Sequence, residues 1–600
     1  MRKLHVILLL LAFSAATLLA QTVAPAITAE ELRTHVKYLA SDELEGRGSG
    51  TEGNRKAAQY IAEEFRTYGL KPAGTNGSYF QEFEFVSSVK LGSHNKLALE
   101  RSGKVVRSLT LDVDFRPFGF SANGKVNAPT VFAGYGIVAN ELQYDDYAGL
   151  DVKGKVVFAL RYGPDGNDNH SPFYRFTSFR NKARYARGKG AAALIIVDVE
   201  KDEPLKLSFD QSHASSGIPC ASMRATILED VLTPLGHSLS GIRDSIKASR
   251  RPVAFELPYV TVSLETEIEK IMAKTANVLG YLEGIDPALK TEVVVIGAHF
   301  DHLGYGGEGS GSLVPHLHEI HNGADDNASG TAALLELAQQ FAAAPSRART
   351  VVFIAFSGEE LGTLGSQQYV NNPFFPLERT VAMINMDMVG RLTDNALTVY
   401  GTGTSPEWIS ILKKYNTPSL SDTFALTFVP DGFGPSDHAS FYGKDIPVLF
   451  FFTGTHNDYH KPSDDWDEIN YEGEERIVRY IYNIANEIQS STPKPKFTRA
   501  QTTAGMGGGD SGGFTVTLGV IPEYGENLQG MKIGGTRPGG PADKAGLKAG
   551  DIIIGLAGKK VLNIYDYMGI LGELKQGQVV DVEILRDGRT MKIAATMQKR

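Results

Sequence analysis

Metal-binding chemistry in this chain concentrates in two short stretches. GAHFDHLG at 297–304 and NGADDNASG at 322–330 set His299, Asp301, Asp325 and Asp326 among glycines, directly after an apolar run. Imidazole nitrogen and carboxylate oxygen together form a donor set that suits zinc. Other apolar runs end the same way. Glu359 and Glu360 follow VVFIAFSG, Asp387 follows VAMINM, and His460 follows VLFFFTGTHNDY. A lone Asp after a strand is usually an ordinary loop or cap residue; four separate runs delivering His or carboxylate are a different matter. In open α/β sheets, ligands bind outside the carboxyl ends of the strands, so the four runs converge on one edge. The surplus of carboxylates favours two metals bridged by one Asp, the layout of a two-metal hydrolytic site. The adjacent Glu359 and Glu360 divide the labour. Neighbouring side chains on a turn point differently, so one holds metal while the other accepts a proton from an activated water and returns it to the leaving group. Asp301, two residues from His299, is placed to accept the imidazole's other N–H.

The surrounding pattern supplies elements that can hold such a site. TAEELRTHVKYLASDEL begins with Thr28 and, three residues on, Glu31, a helix-start pairing. After the Gly-rich break EGRGSG, a second helical stretch ends at Gly69. Residues 79–120 alternate like strands. From about 128 to 255, short β-type runs separated by Gly and Asp, with one short helix, read as an inserted domain without a ligand cluster. Continuous apolar strands then alternate with helices, among them 405–415 and 473–489. That pattern predicts α/β architecture: a mostly parallel mixed sheet covered by helices on both faces. Residues 491–513 are rich in Pro, Thr, Ser and Gly and read as a linker. A small domain of short strands and one or two helices closes the chain.

Residues 28–127 and 256–490 resemble the co-catalytic dizinc aminopeptidase family (aminopeptidase Y, glutamate carboxypeptidase and transferrin receptor relatives). AHFDH, GADDNASG, FSGEELG, INMDMVG and DYHKPSDD carry the likeness, in family order. The resemblance implies two Zn2+ per chain bridged by Asp326. His299 and Asp387 would complete one shell, and Glu360 and His460 the other. Glu359 would be the general acid/base, with Asp301 orienting His299. Between the first two motifs lies YGGEGSGSLVPHLHEIH, with His316, His318 and His321; it reads as a flexible rim loop, a third metal site being the alternative. Asp437 and His438 of SDH are expected to line the substrate cleft. The insert resembles a protease-associated domain through VFAGYGI, DYAGLDVKGKVVFALRYG and KGAAALIIV. The final block resembles a PDZ domain: TLGV at 517–520 matches the loop that captures a peptide C-terminus, and an extended peptide would add to a sheet edge beside a helix near Tyr565 to Leu571.

The resulting division is a signal peptide at 1–20, a peptidase domain at 21–127 and 256–490, the insert at 128–255, the linker at 491–513 and the PDZ domain at 514–600. Arg2 and Lys3, an apolar run from Leu4 and small residues up to Ala20 are the signal-peptide features. No later segment is apolar enough to cross a membrane. One cysteine, Cys220, permits no intrachain disulfide, which fits a bacterial periplasm or exterior. A net charge of −9 excludes an electrostatic footprint for nucleic acid. The leading expectation is a secreted aminopeptidase acting on peptide N-termini. A carboxypeptidase would need a cluster of cations for the substrate carboxylate, and Arg391 is the one obvious candidate beside a ligand. A glutaminyl cyclase of the same fold, or a binding protein centred on the PDZ domain, are the other readings.

Overall fold

The computed structural model describes residues 27–599 apart from 169, 206–213, 308, 345, 419–422, 501–515, 523–528 and 538. The signal peptide and most of the linker lie outside the described residues. Among those described, no helix is long and apolar enough to cross a membrane.

A nine-stranded mixed sheet forms the centre. Its middle consists of four parallel strands, in spatial order Thr350–Phe356, Val293–His299, Thr380–Met386 and Val448–Phe452. Nearly every residue in them is buried, as continuous β-branched and apolar runs require when both sheet faces are covered. Alternate side chains serve opposite faces. Val294, Ile296 and Ala298 join a core with the helices Ala29–Leu39, Glu52–Thr67, Gly330–Ala343 and Tyr471–Ser490. Val293 and Val295 join the core on the other face, with Tyr369 and Val370 from the helix Leu364–Asn371 and Phe441 and Tyr442 from His438–Tyr442. The first helix starts as its sequence predicts, with the Thr28 hydroxyl oxygen accepting the Glu31 N–H at 3.2 Å.

The inserted body is larger than the periodicity suggests. Its eight-stranded sheet runs in the order Lys104–Leu109, Lys96–Arg101, Ala254–Thr266, Gly124–Ala133, Val156–Leu160, Ala193–Val197, Cys220–Met223 and Phe115–Pro117. The boundaries at 128 and 255 therefore cut through it. Lys96–Arg101 hydrogen-bonds to Ala254–Thr266 and Lys104–Leu109 to Lys96–Arg101, and neither pairs with the central sheet. Alternation marks them as strands without revealing which sheet they join. The chain passes between the two bodies along a long antiparallel pair, Phe80–Leu91 with Ile268–Leu282.

Among its described residues, the C-terminal domain holds a six-stranded sheet and two helices, Pro541–Ala545 and Ile564–Leu571. The second helix and its flanks meet the insert's helix Phe179–Gly188 through Arg187–Asp566 at 2.8 Å and Arg184–Glu573 at 2.7 Å.

Candidate metal centre

The four parallel strands end on the same edge, and the predicted residues meet there. His299 is the last residue of its strand and Asp387 directly follows the next. Glu359 and Glu360 lie on the turn after Phe356, and His460 lies on a turn beyond Phe452. Asp326 comes from the turn Ala324–Ser329 that leads into the helix Gly330–Ala343. Two groups of side chains could each hold an ion: His299, Asp326 and Asp387; and His302, Asp326 and Glu360. His460 joins the second group.

The separations test whether zinc fits. Two donors 2.0–2.1 Å from one tetrahedral zinc stand about 3.4 Å apart. His299 Nε2 is 3.4 Å from Asp326 Oδ1 and 3.3 Å from Asp387 Oδ1. His460 Nε2 is 3.2 Å from Asp326 Oδ2 and 3.3 Å from Glu360 Oε2. Asp326 thus turns one oxygen to each half, as a bridging carboxylate does. His299 Nε2 and Asp387 Oδ1 are buried without hydrogen-bond partners, which is costly unless a cation satisfies them. The donor set fits.

The electrostatics agree. Burial alone would depress the pKa of His299, but Asp387, Glu359 and Asp326 outweigh it and raise it well above the ordinary value. His460 is treated likewise: hydrogen bonds to Asp326 and Glu360 overcome burial and raise it to about 11. Burial pushes Glu359 well above the carboxylate range against the pull of His299, with Asp387, Asp437 and Glu360 adding to the rise. Glu360 goes the other way: His302 and His460 hold it below that range despite burial. The pocket carries an excess of carboxylate that attracts positive charge.

Neighbouring groups hold these candidate ligands in place. His299 Nδ1 lies 3.2 Å from the Asp301 main-chain carbonyl, a hydrogen-bond distance, and 3.8 Å from the Asp301 carboxylate. The expected imidazole-to-carboxylate hydrogen bond is therefore replaced by one to the backbone. The carboxylate instead accepts the Glu359 N–H at 3.1 Å and the Ser49 hydroxyl at 2.7 Å, linking the two strand-end turns. Asp325, without a role in the sequence reading, accepts the Gly390 N–H at 2.7 Å and the Ser329 hydroxyl at 3.0 Å. Asp464 accepts the N–H groups of Asp325 and Asp326 at 3.0 and 3.1 Å.

Two further contributors carry no role in the sequence reading. Arg47, in the EGRGSG break, is buried and donates to the carbonyls of Phe300, Asn322 and Gly323 at 2.7, 2.6 and 2.9 Å. A long cationic side chain between the glycines Gly46 and Gly48 is the available signal. The other is the 305–321 loop. Gly311 O lies 2.9 Å from His460 Nδ1, and the Leu313 N–H donates to His460 O at 3.0 Å. The loop aims the Nε2 of His460 at the centre. Among the described residues neither ligand group includes His316, His318 or His321; His321 is buried with Nε2 at 2.8 Å from the Ser312 hydroxyl. Asp437 and His438 are also fully buried, at the start of the helix His438–Tyr442, rather than on an open cleft wall. Burial lifts Asp437 to about 7 and pushes His438 down to about 3. Arg391 is committed internally, paired with Asp458 and 3.2 Å from Glu468.

Residues 277–485 match the model of Peptidase family M28, residues 124–229 that of the PA domain and residues 516–597 that of the PDZ domain. Residues 277–485 thus form a Peptidase family M28 region, and the chain is a hydrolase of the metallo-aminopeptidase class. It is similar to Aminopeptidase YwaD of Bacillus subtilis (strain 168), 24% identical over 529 residues that cover 84% of this chain and 98% of the relative. A Glutamate carboxypeptidase 2 homolog of Caenorhabditis briggsae is 24% identical over 520 residues, covering 72% of this chain and 63% of that one. Among solved structures, the aminopeptidase from Aneurinibacillus sp. strain AM-1 aligns with a TM-score of 0.46 and 22% identity, over 78% of this chain and 94% of that one.

Proposed function

We propose that this chain is an exported aminopeptidase that binds two zinc ions and removes N-terminal residues from peptides. The observation that carries the reading is the pair of ligand sets sharing Asp326, each spaced for zinc, with Glu359 beside them. Bound zinc would supply a Lewis acid for the scissile carbonyl and lower the pKa of a water. The chain's own groups do the rest. His299, Asp326 and Asp387 hold one position; Asp326, Glu360 and His460 hold the other. Glu359 Oε2 reaches to 4.0 Å from His299 Nε2, a place from which its carboxylate takes a proton from the attacking water and returns it to the leaving amine. Asp301 fixes the backbone of Glu359 and so the aim of that carboxylate.

The state of Arg391 favours an aminopeptidase over a carboxypeptidase. Recognition of a substrate carboxylate calls for an available guanidinium or ammonium, and Arg391 is held by Asp458 and Glu468. The leader at 1–20 supports export. The C-terminal domain is proposed to bind the carboxyl end of an extended peptide along a sheet edge.

A panel of free, N-acetylated and C-amidated peptides tests this reading. Free and C-amidated peptides should be cleaved and N-acetylated ones spared. Cleavage that needs a free carboxylate and tolerates acetylation would make the enzyme a carboxypeptidase. Pyroglutamate formation from N-terminal Gln would make it a cyclase.

A further inference from the structure

His302 follows Asp301 in AHFDHLG and lies in the second of the two groups by proximity, but its separations differ from those of His460. Its Nδ1 lies 2.6 Å from Glu360 Oε1 and 3.8 Å from Asp326 Oδ2. Neither separation is that of two ligands on one tetrahedral zinc, which stand about 3.4 Å apart. His460 Nε2, by contrast, is 3.3 and 3.2 Å from the facing oxygens of the same two carboxylates. The short distance to Glu360 is that of a hydrogen bond to a charged acceptor. It falls on Oε1, while Oε2 faces His460.

We propose that His302 is a positioning residue: its Nδ1–H holds Glu360 Oε1, so that Glu360 offers only Oε2 to a cation. A carboxylate without that hydrogen bond could rotate and bind through both oxygens, changing the coordination number of that position. The assignment of the proton to Nδ1 follows from its partner, since Nε2 is buried without one.

The ring has little freedom to do anything else. His302 is 2% exposed. Its main-chain N–H donates to Arg47 O at 3.3 Å. Gly323, at φ +57, packs against the ring so closely that a Cβ there would stand 2.5 Å from Cδ2 and 2.6 Å from Cγ. That glycine serves two needs at once: it takes a left-handed backbone conformation and it leaves room for the imidazole. The Arg47 guanidinium donates to the Gly323 carbonyl, so one buried arginine ties down both walls of the slot.

The inference rests on the dizinc reading of the centre, and the experiment separates the two. The probe is zinc itself. Its two dissociation constants are measured on the full chain by competition with a chromophoric chelator, and Co2+ absorption reports coordination number. His302→Asn places an amide N–H near the position of Nδ1; His302→Gln moves the amide toward the position of Nε2, away from Glu360. The Gln variant should weaken one zinc by about 10–100-fold, the range for loss of a group that orients a metal ligand. It should leave the other zinc unchanged and alter the cobalt spectrum. The Asn variant should keep wild-type affinity and spectrum. Equal affinities in wild type, Asn and Gln variants would overturn the positioning role. So would Asn and Gln variants impaired alike, which would make His302 a ligand. Wild-type protein binding fewer than two zincs would instead defeat the reading of the centre, whatever the variants do.

Discussion

The two halves of the centre share Asp326 and the same donor spacing, yet they are built differently. His299 ends a buried parallel strand and Asp387 directly follows another. Their geometry is set by the ladder of the sheet. His460 stands beyond its strand on a turn, with φ +54, and it is oriented by the main chain of the 305–321 loop. Its side chain is 14% exposed, against 1% for His299. Loops open locally at lower free energy than core strands. The sheet-borne half should therefore hold its ion more tightly than the loop-borne half, although both present the same number of donors.

Glu359 spans this difference, because its backbone leaves the turn that carries Glu360 while its carboxylate reaches toward His299. Its substitution should have the largest effect. Glu359→Gln should lower kcat by about 10²–10⁴, the usual contribution of a general acid/base, and leave the metal content unchanged by elemental analysis. A lost metal would show Glu359 to be a ligand, and substantial residual turnover would remove it from proton transfer.

The asymmetry itself is tested by removing one histidine from each half. After dialysis against a graded chelator series, His460→Ala should retain one tightly held ion. His299→Ala should retain one ion held about 10–100-fold more weakly than that, an interval borrowed from the cost of disturbing metal environments. Equal retention would mean that the sheet confers no advantage. The reverse order would mean that the loop clamps its ion better than the strands do.

Much of the sheet-borne half was legible because its determinants are local. An apolar run ending in His or Asp announces both a buried strand and the group at its tip, and the carboxyl-end rule supplies the convergence. The loop-borne half was legible only as residue type. Nothing in YGGEGSGSLVPHLHEIH reveals that Gly311 supplies a carbonyl to His460, because a main-chain acceptor leaves no trace in residue type. His302 was hidden by its motif, since spacing cannot separate a ligand from a hydrogen-bond donor to one. Asp437 and His438 are expected at the cleft because they precede the last ligand-bearing strand, and the fold buries both at the start of the helix His438–Tyr442. The insert's boundaries were misplaced for a related reason: period-two alternation identifies strands but carries no information about their partners.

The smallest effect is expected furthest from the centre. The PDZ domain makes close ionic contact with the insert, through Arg184–Glu573 and Arg187–Asp566, and Asn563 donates to Ser215 O at 3.1 Å. Against the peptidase domain it instead borders a cavity of about 390 Å³ lined by Phe433, Tyr442, Phe497, Gly535 and Leu547. None of the metal-centre residues belongs to it. A chain lacking 514–600 should therefore hydrolyse small chromogenic amino-acid amides with unchanged kcat/KM. Such substrates need only the metal centre, whereas a long peptide could also engage a sheet edge of the PDZ domain. If kcat/KM for the small amides fell by about tenfold, equivalent to about 1.4 kcal/mol of transition-state stabilisation, the PDZ domain would be coupled to the centre. The insert would then be the route to examine, by repeating the measurement with Arg187→Ala in the full-length chain.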